Sequence, residues 1–120
     1  MIEIVIVTSA PAKFQALAAG LKSAPDVHIA WVKTGAQALE LASASTPGLM
    51  VIDAQLDDKT GLDIAREVIL VNAGINMAVV SDRSADEFHT VSEGLGIVAQ
   101  LPPYPGTSQA ERLLNLIEKL

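Results

Sequence analysis

The 120-residue chain contains no cysteine, only four aromatic residues, and eight basic residues against fourteen acidic ones. Without cysteine there is no disulfide framework, no thiol nucleophile and no thiolate metal centre. With so few rings, a chain that is 50% hydrophobic must fill its core with Val, Ile, Leu and Ala. The formal net charge of −6 and the lack of any basic run argue against a nucleic-acid surface, which sets clustered Lys and Arg against phosphates. The apolar runs are too short to cross a bilayer, and the start, Met1-Ile2-Glu3-Ile4-Val5, lacks the basic region and apolar stretch of a signal peptide. The expectation is a soluble, cytoplasmic protein with no nucleic-acid or membrane partner. From its length the further expectation is one domain over 1–120, with a real core and no effector domain.

What is present is an alternation of apolar runs and helical patterns. At its centre lies Gly48–Gly61, in which Leu49-Met50-Val51-Ile52 ends in Asp53 and a polar loop leads to Thr60-Gly61. A short unbroken apolar run between turn residues fits a strand buried on both faces. Ile2–Val7 reads as a first buried strand, followed by Pro11 in the first turn of a helix carrying Phe14, Leu17, Ala18 and Leu21. Val27–Val32 reads as a more exposed strand with Val27, Ile29 and Trp31 on one face and His28 on the other. Thr34–Gln37, Ser84–Glu87 and Ser108–Glu111 have capping-box spacing ahead of three further helices, the last with Leu113, Leu114, Ile117 and Leu120 as its apolar face. The central helix runs from about Thr60 to Asn72, Met77–Val80 is a fourth strand, and Ile97–Ala99 a weak fifth. The proline-rich Leu101–Gly106 segment reads as irregular. Five such units with short loops predict an α/β fold whose parallel sheet is covered by helices on both faces.

The order and spacing of these features resemble the receiver domain of response regulators, over nearly the whole chain. Val51-Ile52-Asp53 ends the third strand in an acid, and Gly61-Leu62 opens the third helix eight residues on. Val79-Val80-Ser81 ends the fourth strand in a hydroxyl, Glu93-Gly94-Leu95 resembles the small-residue turn before strand five, and Leu101-Pro102 stands where the family has Lys-Pro. The resemblance implies a doubly wound, flavodoxin-like five-stranded sheet of order 2-1-3-4-5. It implies that Asp53 matches the phosphoacceptor and Ser81 the switching hydroxyl. It also implies an output and dimerisation face on helix four, strand five and helix five, here with His89, Val98, Pro103, Tyr104 and Arg112, and a cis peptide before Pro102.

Several positions depart from the family. The acid pair that helps hold Mg²⁺ after strand one is Thr8 and Ser9, the phosphoryl-contacting lysine is Leu101, and the usual proline after the acceptor is Asp57. Of the usual metal ligands, Asp53 and the Gln55 carbonyl remain, so Mg²⁺ is expected only if the family site is partly retained, and no other cofactor is expected. Asp57, Asp58 and Asp82 fall in loops at the same sheet edge, either as substitute oxygen donors or as ordinary turn residues. Thr8 and Ser9 are read as caps of the first helix or as anion-binding hydroxyls, and Ser81 as a switch or a satisfied strand end. The expected protein is a stand-alone atypical receiver, not an enzyme. It would act in two-component or phosphorelay signalling by contact with a kinase, a downstream effector or a second copy, with Mg²⁺-dependent phosphorylation of Asp53 weak or absent. One alternative is a conventional phosphoacceptor using Asp53. Another is a flavodoxin-like binder of flavin or a small anion, with Trp31 or Tyr104 to stack a ring.

Overall fold

A computed structural model describes residues 2–119; Met1 and Leu120, the last expected residue of the final apolar face, lie outside them. The strands are β1 (Ile2–Val7), β2 (Val27–Val32), β3 (Leu49–Ile52), β4 (Met77–Val80) and β5 (Ile97–Leu101). The helices are α1 (Gln15–Lys22), α2 (Gly35–Ala44), α3 (Gly61–Val71), α4 (Ala85–Ser92) and α5 (Thr107–Glu118), with a 3₁₀ turn over Pro11–Phe14 leading into α1. All strand pairs are parallel and the order is β2-β1-β3-β4-β5, as the alternation and the family resemblance predict.

The three inner strands take the character their composition requires. Ile4–Val7, Leu49–Ile52 and Met77–Val80 are buried throughout, because helices cover both of their faces. Side-chain alternation divides the core in two. Ile4, Ile6, Leu49 and Val51 pack under α1 and α5 with Phe14, Leu17, Ala110 and Leu113. Val5, Val7, Met50 and Ile52 pack under α2, α3 and α4 with Ala38, Ile64, Val68 and Phe88. Where α1 meets α5, a methyl group at Gly20 would lie 2.6 Å from the Ala110 Cβ, so Gly20 sets the closeness of this helix pair.

Two of the three capping sites form where expected. Thr34 accepts from the Gln37 amide at 3.1 Å, and Ser84 accepts from the Glu87 amide at 3.2 Å. The third is displaced: α5 starts at Thr107 behind Gly106, whose amide donates to Gln109 Oε1 at 2.7 Å, so Ser108 lies inside the helix. Leu101 belongs to β5 and not to the irregular segment, because it keeps its own N–H and its carbonyl accepts from the Ser81 amide at 3.0 Å; the donors are lost only from Pro102 onward. The peptide before Pro102 is trans, against the family expectation. No helix among the described residues is long and apolar enough to cross a membrane.

Candidate functional site

The carboxyl ends of β1, β3 and β4 place Thr8, Asp53 and Ser81 along one edge of the sheet, at the point where the strand order reverses. The Asp53 amide donates to the Val7 carbonyl at 2.9 Å, which fixes the acid at the end of the ladder. Its backbone is also pinned from the other side. Gly61 donates to the Ala54 carbonyl at 2.9 Å, and a Cβ at Gly61 would collide with the Asp53 carbonyl oxygen. Glycine here is a requirement of close backbone approach, and it explains the Gly61 of the sequence motif.

Asp53 is 2% exposed, and a carboxylate that far from water must be compensated by neighbours. Thr8, also 2% exposed, donates its hydroxyl to Asp53 Oδ2 at 2.7 Å, and the Ala54 amide donates to Oδ1 at 2.8 Å. The Lys13 ammonium stands 3.5 Å from Oδ2 and 5.9 Å from the centroid of the Tyr104 ring, a cation–π distance. Tyr104 sits between Pro103 and Pro105 with φ of 53°, a left-handed conformation uncommon for a residue with a side chain. Together Lys13, Phe14, Asp53, Ala54, Val80, Asp82, Pro103 and Tyr104 line a cavity of about 170 Å³.

Lys13 is the participant that the sequence motifs did not reveal. The resemblance directs attention to the end of β5 for a lysine, and Leu101 there is fully buried in the core beneath α1 and α5. The cation arrives instead from the 3₁₀ turn after β1. The available signal was that Lys13 is the sole basic residue between β1 and α1.

The other candidates separate. Thr8 does not cap the first helix: its Oγ1 accepts from the Ala10 amide at 3.0 Å, closing a local turn, and no side chain caps either the 3₁₀ turn or α1. Ser9 is exposed beside it. Ser81 is half-buried, its hydroxyl accepts from the Arg83 amide at 3.2 Å, and it lines a neighbouring cavity with Ala54, Thr60, Leu62 and Arg66. Gln55 folds back on its own loop, donating to the carbonyls of Leu56 at 2.9 Å and Lys59 at 3.4 Å. Asp57 is exposed, and Asp82 lies at the mouth shared by the Asp53 and Ser81 cavities.

Asp58 is committed elsewhere. Its carboxylate accepts from the amides of Gly35 at 2.9 Å and Ala36 at 3.1 Å, at the N-terminus of α2. These bonds, that of Gly35 foremost, hold its pKa below the ordinary 3.8, against the opposing effect of partial desolvation. Asp58 is therefore a helix cap delivered from the loop after β3, and it is not available as a substitute metal donor.

The expected output residues divide into two groups. His89, Val98 and Arg112 line one shallow groove with Phe88, Ile97 and Gln100 between α4, β5 and α5. Pro103 and Tyr104 belong to the mouth of the Asp53 cavity. Trp31 lines a separate groove beside α1, so the two rings named as flavin-stacking candidates do not share a cavity.

No family model and no curated protein matches the sequence. Solved structures do match. A two-component response regulator from Legionella pneumophila is 17% identical with a TM-score of 0.81, and the match covers 100% of both chains. A CheY-like receiver domain protein from Methanospirillum hungatei is 16% identical with a TM-score of 0.83, over 99% of this chain and 95% of that one. The receiver domain of a sensor histidine kinase from Pseudomonas aeruginosa, described with a magnesium ion coordinated in its active site cleft, is 19% identical with a TM-score of 0.78 over 97% of each chain. The likeness in fold is thus to receiver domains, across essentially the full length of the chain.

Proposed function

We propose that this chain, folded as a receiver domain, is an atypical receiver in two-component or phosphorelay signalling. It acts through protein–protein contact and not as an enzyme, and Mg²⁺-dependent phosphorylation of Asp53 is slow or absent. The observation that carries this reading is that Asp53 is already satisfied from within the chain, by the Thr8 hydroxyl, the Ala54 amide and the Lys13 ammonium.

Magnesium takes near-octahedral oxygen ligands, drawn from carboxylates, phosphates and water. Thr8 and Ser9 offer neutral hydroxyls, that of Thr8 is spent on Asp53, and Lys13 sets a positive charge beside the same carboxylate oxygen. This donor set does not fit a resident Mg²⁺. A phosphoryl group carries close to two negative charges at neutral pH, and the single Lys13 ammonium balances at most about half of that. Each missing charge-assisted contact is worth roughly 1.5–3 kcal/mol, and about 1.36 kcal/mol is tenfold in rate. Phosphorylation should therefore be slower by orders of magnitude than with a full set of charges.

Signalling then passes through a binding surface, for which the groove formed by His89, Val98 and Arg112 is the candidate, facing a kinase, an effector or a second copy. The test is incubation with acetyl phosphate and Mg²⁺, followed by intact-mass measurement. The expected spectrum shows unmodified protein. A stoichiometric phosphoryl adduct that disappears in Asp53→Asn would favour the conventional phosphoacceptor reading instead.

A further inference from the structure

A cavity of about 470 Å³, distinct from the one that Asp53 lines, lies between α1 and the edge strand β2, with Thr8 and Pro11 completing its lining. Its origin is the unequal cover of the sheet. Two helices, α1 and α5, lie on this face and three on the other. Two helices of about 10–12 Å diameter only about match the width of five strands about 4.8 Å apart, with no excess to cover the edge strand. On the helix side the lining residues are Gln15, Ala18, Ala19 and Lys22, spaced to share one face, and the two alanines leave the space open. On the strand side are Trp31 and Lys33, with Val32 between them, and Trp31 is 38% exposed.

The charges are as distinctive as the shape. The chain carries a net charge of −6, yet this groove is lined by two lysines and no acid. Neither Lys22 nor Lys33 pairs with a carboxylate among the described residues. Gln15 and Lys22 are seven residues apart, about 10 Å along the helix. Lys33 follows the end of β2, where the Val32 carbonyl accepts from the Thr8 amide, whereas Lys22 closes α1 at the opposite edge. The cations thus flank the two ends of an apolar trough walled by one indole ring.

We propose that this groove binds an elongated, aromatic small molecule bearing a carboxylate at one or both ends. Its body lies against Trp31, Ala18 and Ala19, and its charged ends meet Lys33 and Lys22. The volume lies within the range of small-molecule sites, which combine apolar walls with a few placed polar groups. Thr8, which bonds to Asp53, also lines this groove, whereas Lys22, Trp31 and Lys33 make none of the contacts that hold Asp53.

The chain has one tryptophan, so its indole N–H gives a single cross-peak in a nitrogen–proton correlation spectrum. Three probes suffice: biphenyl dicarboxylate with its acids at opposite ends, biphenyl monocarboxylate, and uncharged biphenylmethanol. The expected result is a saturable shift of the Trp31 peak with affinity falling in that order, by about threefold per charge, as exposed ion pairs give. Lys22→Gln and Lys33→Gln alter exposed residues and leave the fold intact. Each should weaken the dicarboxylate about threefold and leave the alcohol unchanged, and the double variant should bind all three probes alike. The proposal is overturned by the absence of saturation at millimolar probe, by equal binding of the alcohol and the dicarboxylate to the unaltered protein, or by lysine variants that change nothing.

Discussion

Replacing Thr8 with valine probes the arrangement that sets this site apart. Valine has nearly the shape of threonine, so Thr8→Val deletes a hydroxyl without opening a cavity. Two interactions are lost, the 2.7 Å bond to Asp53 Oδ2 and the 3.0 Å bond from the Ala10 amide. A hydrogen bond to a charged group contributes roughly 1.5–3 kcal/mol and one between neutral groups about 0.5–1.5 kcal/mol. Lys13 and the Ala54 amide still face the carboxylate, which keeps the loss below the roughly 3–5 kcal/mol of a fully orphaned buried charge. The expected destabilisation is about 2–3 kcal/mol. It should appear as a lower urea midpoint at unchanged slope and as a fall in melting temperature of about 6–15 °C. The decisive measurement is a double-mutant cycle with Asp53→Ala, where a coupling of about 1–2 kcal/mol is expected. If Thr8→Val costs the same with and without Asp53, its effect belongs to the loop alone, and the account of Asp53 as a carboxylate satisfied from within is wrong.

The Asp58 cap has a pH signature. Its folded pKa lies below the unfolded value, so its stabilisation is full above about pH 4 and is lost as the pH falls through the folded value. Urea midpoints of the natural protein and Asp58→Ala should therefore differ at neutral pH and converge in acid; a constant difference would refute the capping role. Gly61→Ala should destabilise by at least about 2 kcal/mol, because its methyl group meets the backbone oxygen of Asp53, which cannot rotate away; a melting temperature within a degree or two of the natural protein would contradict this. Gly20→Ala, despite the higher helix propensity of alanine, should destabilise by about 1–3 kcal/mol through the α1–α5 contact at Ala110, measured in the same melts.

Much of the molecule was legible because it depends on local pattern. Unbroken apolar runs such as Leu49–Ile52 and Met77–Val80 specify strands that need cover on both faces, and hydroxyls at Thr34, Thr60 and Ser84 accept from the amides three residues on. The alternation of strands and helices implied a parallel sheet with Asp53 at its carboxyl edge, and the family resemblance implied the strand order that puts this edge at the switch point. The third capping site was misplaced by two residues because Gly106, with no side chain, begins α5 where the pattern favoured Ser108.

The sequence alone determined a parallel α/β sheet with an acid at its centre and neutral residues where the family resemblance calls for charge. The tertiary structure decided how that acid is held. Lys13 and Asp53 are forty residues apart, as the numbering shows, and no spacing rule links a 3₁₀ turn to a strand end. Nor could a loop aspartate, Asp58, be recognised as the cap of a helix twenty-three residues earlier. Charges and hydrogen bonds act through space: the pairing of β1 with β3 brings the Thr8 hydroxyl to the buried carboxylate, and the 3₁₀ turn before α1 sets the Lys13 ammonium over the same sheet edge, beside Tyr104.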